Sequence, residues 1–173
     1  MTALRPNLDE ALADWAARVR ANRDQVERFR EESEGTDFYA PVASSFRADP
    51  RRTDEPALDM LLGLVRPEDT WLDIGSGAGR YAMPIALKAR EVVAVDPSAG
   101  MLEQLREGMG EHGISNIRIV EGRWPLADAP RADVALIAHV AYDIEGIGSF
   151  VEAMEAAANR LCVAVLLASS PAA

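Results

Sequence analysis

Hydrophobic positions along the chain fall into two regimes that meet near residue 70. In residues 8 to 32, Leu8, Leu12, Trp15, Val19, Val26 and Phe29 recur mostly at three- and four-residue intervals, with charges of both signs between them. That period puts them on one stripe of an amphipathic helix, because about 3.6 residues complete a turn. Pro6 precedes the stripe, and Asn7 with Glu10 three residues on forms a start signal that satisfies otherwise unpaired amides. The helix is expected to cover the core, with a lid over a ligand site as the sharper alternative. From Glu34 to Pro56 the period fails at Gly35, Pro41, Pro50 and the serines between them, which predicts a loop-rich connection. Phe38, Tyr39 and Phe46 in that connection either pin it to the body or wall a pocket. Leu58, Leu61, Leu62 and Val65 then predict a second helix, about Pro56 to Val65, that ends before Pro67.

From Thr70 onward short β-branched runs alternate with helical stretches. The runs are Trp71 to Ile74, Glu91 to Val95, Asn116 to Val120, Ala132 to Ile137 and Leu161 to Leu167, with a helix near Gly148 to Asn159 before the last. Five such runs with crossovers predict parallel strands with helices on the sheet faces, an α/β, doubly wound, mostly parallel sheet. Residues 1–56 then form an N-terminal helix and connector packing on the core, and residues 57–173 form the α/β core itself.

Composition narrows the function. The 173 residues carry 18 basic and 28 acidic side chains, a formal net charge of -10. Such a surface repels a phosphate backbone, so no nucleic-acid partner is expected. Lys88 is the sole lysine, so no lysine cluster is present to hold an anionic membrane. The longest apolar run, Leu161 to Ala168, falls far short of the roughly 20 residues that cross a bilayer. The N-terminus reaches Asp9 and Glu10 without an apolar targeting core, which gives cytoplasm as the expected address. Cys162 stands alone in the apolar run and reads as a core residue, and with His112 and His139 it matches no common metal-ligand spacing. No metal is expected.

The sharpest chemical signal is Leu72-Asp73-Ile74-Gly75-Ser76-Gly77-Ala78-Gly79-Arg80, at the end of the first strand and opening a helix. Gly75 and Gly77 permit a tight turn and close approach of backbone to a ligand. A dinucleotide fingerprint needs a third glycine where Arg80 stands, and a pyrophosphate would find Asp73 unwelcome. Both points disfavour a nicotinamide-dependent oxidoreductase. An acidic residue at this mouth suits a ligand with cationic or amine groups.

Over roughly residues 57 to 168 the sequence resembles the class I S-adenosylmethionine-dependent methyltransferase family, with the motifs in the family's order. The resemblance implies that Asp73, Gly75, Ser76 and Gly77 hold the methionine part of the cofactor. It implies that Asp96, at the end of the second strand, accepts the ribose hydroxyls, with Pro97 beside it and Met101 or Leu102 against the adenine face, Leu102 being the one more readily read as helix core. Family members often carry an acid for the adenine amino group after the third strand. Here that segment reads Glu121-Gly122-Arg123-Trp124, so Gly122 and Arg123 backbone groups with Trp124 alongside are the expected base contacts, or else Glu121. The loop Ala138-His139-Val140-Ala141-Tyr142-Asp143 is implied to face both the sulfur and the acceptor. His139 is the expected proton acceptor, since an imidazole titrates near neutrality, and Tyr142 the expected acceptor contact.

The family sheet has seven strands, whereas few residues follow the fifth run here. The expectation is therefore a sheet truncated after strand five, with self-association or a partner covering that strand's edge. The function implied is methyl transfer to a small-molecule acceptor, yielding S-adenosylhomocysteine. The alternative is a non-catalytic cofactor-binding sensor or partner subunit.

Overall fold

A computed structural model describes residues 7–28 and 40–167. Five strands form one parallel sheet: β1 (Thr70–Ile74), β2 (Glu91–Asp96), β3 (Ile117–Glu121), β4 (Ala132–Ala138) and β5 (Ala158–Val165). Their order is β3-β2-β1-β4-β5, so the chain runs outward from β1 to one edge and returns to build the other side. Every strand pair is parallel, as the near-continuous apolar runs predicted.

Alternation along the strands divides the core into two layers. Trp71, Val92, Ala94, Val134 and Leu136 point to the side covered by α2 (Pro56–Leu64), α3 (Ala82–Ala86) and α4 (Ala99–His112). Leu72, Ile74, Val93, Val95, Ala135 and Ile137 point to the other side, where Phe150, Met154 and Ala157 of α5 (Ile147–Ala157) meet them. No helix joins β3 to β4. Trp124, buried in that connection, fills the second layer together with the half-buried Leu126 and Ala129.

Several helix boundaries follow from local chemistry. The Ser98 hydroxyl accepts from the Met101 N–H at 3.1 Å and caps α4, which ends at Gly113 in the left-handed region. Asn7 caps α1 (Leu8–Arg28), its side chain accepting from the Asp9 N–H at 3.3 Å. Helix α1 contributes less to the core than its stripe suggests: Val19 is buried, Leu12 and Trp15 are half-buried, and Leu8 is exposed. The Trp15 indole donates to the Ile144 carbonyl at 2.8 Å, and Arg20 pairs with Glu145 at 3.1 Å. The helix therefore clasps the segment between β4 and α5. The expected connector contains a 3-10 helix, Ala40–Phe46, packed on α4. Phe46 there is exposed, while Phe29, Phe38 and Tyr39 lie outside the described residues.

Two readings of the last strand need correction. Strand β5 starts at Ala158, directly after α5, three residues before its apolar run. Cys162 is exposed instead of buried. The cause is that β5 is an edge strand, with β4 on one flank and side chains that alternate between half-buried and exposed. Among the described residues no helix is long and apolar enough to cross a membrane.

Candidate functional site

The order β3-β2-β1-β4-β5 reverses direction between β1 and β4, and ligands of open α/β sheets bind at the carboxyl ends of strands beside such a reversal. Two loops meet there. The loop after β1 turns sharply, and the Gly75 and Ser76 N–H groups both donate to the Val95 carbonyl, at 2.7 and 3.1 Å, which pins it to the end of β2. The loop after β4 carries His139 and Ala141 in the left-handed region, at φ 57° and 79°. Residues with side chains cost roughly 1–2 kcal/mol each in that region, and such outliers gather at functional sites.

The glycines of the first loop serve different ends. A Cβ on Gly75 would sit 2.5 Å from Val140 Cγ2, so this glycine lets the two loops close on each other. A Cβ on Gly77 would meet only Met101 Sδ, at 3.9 Å, so the space above Gly77 is open for another molecule.

Beneath this loop lie two carboxylates on the α3/α4 side of the sheet. Asp73 is buried and accepts from the Ala82 N–H at the start of α3. Burial first, and then the like charge of Asp96, push its carboxyl up to about 7. Asp96 is also buried, and its two oxygens accept from the Gly77 N–H and the Ser98 N–H, both at 2.8 Å. Each carboxylate oxygen has a second lone pair, so Asp96 can hold the loop and still receive hydroxyls from a ligand. The Ser76 hydroxyl is buried with no hydrogen-bond partner.

These features fit S-adenosylmethionine. A buried, mutually repelling carboxylate pair favours a ligand bearing positive charge, the orphaned Ser76 hydroxyl offers an unused polar atom, and the open face of Gly77 leaves room beside both. Met101 is buried with Ala43 and Ala78 and faces Gly77, whereas Leu102 belongs wholly to the core. Pro97 and Arg123 are exposed. The Gly122 N–H donates to the Asp96 backbone carbonyl at 3.0 Å, which brings the turn after β3 to the same rim. Trp124 is not brought to the rim. Its ring lies in the second core layer and its indole N–H donates to the Phe150 carbonyl at 3.2 Å. Tyr142 is half-buried, and its hydroxyl accepts from the Leu167 N–H at 2.8 Å, tying the β4 loop to the chain beyond β5.

His139 is exposed at the mouth, with Nε2 3.5 Å from the hydroxyl of the buried Tyr81. Tyr81 in turn donates to Glu55 Oε1 at 3.0 Å. The other oxygen of Glu55 accepts from Arg52 Nε at 2.7 Å and from Arg80 at 2.9 Å. Arg52 and its neighbours hold the Glu55 carboxyl down at about 2, against the opposing effect of burial. Both guanidiniums also lie over the Tyr81 ring, 5.8 and 5.9 Å from its centroid. Sequence reasoning missed this cluster. Aromatics drew attention in the connector, while Arg52, Glu55 and Tyr81 carry no local motif that would single them out. The available signal was Arg80-Tyr81, directly after the glycine loop.

Residues 72–161 match the family model described as a methyltransferase domain. A mitochondrial ribosomal RNA small subunit methyltransferase of Arabidopsis thaliana is 35% identical over 81 residues, which is 46% of this chain and 21% of that protein. A 23S rRNA (uracil(1939)-C(5))-methyltransferase of Klebsiella pneumoniae is 38% identical over 53 residues, 31% of this chain and 12% of that protein. This chain thus spans about a fifth or less of the length of these relatives. Among solved structures, a methyltransferase from Thiobacillus denitrificans in complex with S-adenosyl-L-homocysteine superposes with a TM-score of 0.56. It shares 17% identity and covers 74% of this chain and 53% of its own, and the likeness supports the fold.

These relatives overturn the expectation of a small-molecule acceptor with nucleic acid excluded, since both are named for ribosomal RNA. The physical reason is that a net charge of -10 sums the whole surface and says little about one mouth.

Proposed function

The chain belongs to the class I S-adenosylmethionine-dependent methyltransferase family, whose methyl donor is S-adenosylmethionine, and on that premise we propose that it transfers a methyl group to an acceptor entering beside His139. The observation that carries this reading is the open face of Gly77 above two buried carboxylates at the sheet's reversal point. When bound, the cofactor would supply an activated methyl carbon and a sulfur leaving group that keeps the electron pair.

The chain's residues divide the remaining work. Asp96 receives the ribose hydroxyls while still holding the Gly77 and Ser98 N–H groups. Asp73, Ser76 and the Gly75 and Gly77 backbone hold the methionine part, with the cofactor's positive charge relieving the repulsion between the two carboxylates. Met101 lies against the base, and the Gly122 and Arg123 backbone offers polar groups to its edge. His139 receives a proton where the acceptor atom carries one. Most of the rate enhancement then comes from orientation of acceptor against methyl.

Relatives named for ribosomal RNA support RNA as the acceptor class to assay first. The test is release of S-adenosylhomocysteine from the purified chain and cofactor with unmodified ribosomal RNA. RNA-dependent product that disappears in Asp96→Ala supports the reading. Cofactor binding without product from RNA refutes the RNA acceptor, and no cofactor binding by a folded chain refutes the whole assignment.

A further inference from the structure

We propose that Tyr81, oriented by Glu55, fixes the hydrogen of neutral His139 on Nε2 and so leaves Nδ1 as the nitrogen that accepts a proton from the acceptor. The inference rests on the reading of His139 given above and concerns the chain's own residues.

It follows from counting donors and acceptors. Glu55 is ionised and can only accept hydrogen bonds. One of its oxygens faces Arg52 and Arg80, and the other faces the Tyr81 hydroxyl at 3.0 Å. The single hydrogen of Tyr81 is therefore committed to Glu55, and only lone pairs of its oxygen remain for His139. Nε2 of His139 lies 3.5 Å from that oxygen. A bare Nε2 would set lone pair against lone pair, whereas an Nε2–H gives a hydrogen bond. An imidazole with its hydrogen on Nε2 has its basic pair on Nδ1. Tyr81 is buried, with its ring beneath two guanidiniums, so it is a rigid partner. As the acceptor atom gains a methyl group it loses its proton to Nδ1, and the imidazolium later returns that proton to water. Tyr81 and Glu55 are positioning residues, the role an orienting carboxylate plays for a catalytic imidazole elsewhere.

The chain contains two histidines, which makes the tautomer directly observable. Nitrogen NMR of the full chain labelled in histidine, with His112→Gln to assign the signals, reports which nitrogen of His139 bears hydrogen when the ring is neutral. The wild type should show Nε2–H. In Glu55→Gln the amide oxygen is drawn to the two arginines, and the amide N–H faces Tyr81. That turns the tyrosine hydrogen towards His139 and should move the imidazole hydrogen to Nδ1. Tyr81→Phe should give a mixture. For a chain that turns over, each variant should lower kcat about tenfold, with KM for the cofactor changed less than twofold.

A wild-type hydrogen on Nδ1, or a Glu55→Gln spectrum identical to the wild type, overturns the proposal. Tautomer shifts with undiminished kcat overturn Nδ1 as proton acceptor. A chain that binds no cofactor refutes the functional reading separately, because the spectra decide the Tyr81 contact without turnover.

Discussion

Asp73 offers a stringent test of the electrostatics, because its charge is what the site is built around and the fold must tolerate it. Asp73→Asn keeps the shape and an oxygen for the Ala82 N–H while removing the charge. In the unfolded chain the carboxyl ionises near 3.8, but in the folded protein burial and the Asp96 charge delay ionisation to about 7. Between those pH values the folded state holds a proton that the unfolded state has lost. Asp73 therefore erodes stability as pH rises, by about 1.4 kcal/mol per pH unit. The erosion totals about 4 kcal/mol, is complete above about pH 7, and is absent below about pH 4. An uncharged Asn has no such dependence, and any misfit of its amide is the same at every pH.

Urea unfolding at pH 4, 5, 6, 7 and 8 without cofactor should show the variant gaining on the wild type across that range. The gain should reach several kcal/mol and level off above pH 7. The same charge governs ligand binding with the opposite sign. A cationic ligand selects ionised Asp73, so wild-type affinity for S-adenosylmethionine should rise up to about tenfold per unit as pH climbs towards 7. Affinity in Asp73→Asn should be lower and flat with pH over that interval. Stability curves that run parallel from pH 4 to 8, or a wild type that gains on the variant, would refute the reasoning.

Four further outcomes follow from the geometry. Gly77→Ala, with its nearest atom at 3.9 Å and φ at 52°, should cost about 1 kcal/mol of stability yet lose at least tenfold in cofactor affinity. Gly79→Ala places a Cβ 2.4 Å from Leu105 Cδ1 and should cost about 3 kcal/mol, read by denaturant midpoint. Glu55→Gln should be destabilised at neutral pH. Because the folded carboxyl is held at about 2, the stability Glu55 contributes is full above about 4.5 and disappears as pH falls through 2, so acid titration should bring the two chains together. Trp15→Phe removes the 2.8 Å bond to the Ile144 carbonyl and should cost about 1 kcal/mol, with earlier protease cleavage at the junction of α1.

The sheet was readable because β-branched runs buried on both faces leave a periodic trace. The placement of Asp73, Gly77 and Asp96 at the carboxyl ends of β1 and β2 was readable because a glycine-rich turn directly after a strand constrains residue type locally. What escaped depended on distance in sequence. Glu55 and Tyr81 meet only once α2 and α3 pack on the same face, and nothing local to either residue encodes that meeting. Trp124 looked like a base platform beside the rim, but the missing helix between β3 and β4 leaves a hole in the second layer that its ring fills. Cys162 looked buried because its neighbours are apolar, yet an edge strand exposes alternate positions. Net charge misled most, since it sums the whole surface and does not describe one mouth.

The most direct test of the central claim is calorimetric titration of S-adenosylmethionine into the chain and into Asp96→Ala, with circular dichroism to establish that both are folded. Removing Asp96 forfeits two charged hydrogen bonds to ribose, each worth about 1.5–3 kcal/mol. The account predicts binding by the parent and a loss of 100-fold or more in the variant. A folded parent that does not bind, or a variant that binds as tightly as the parent, would contradict it.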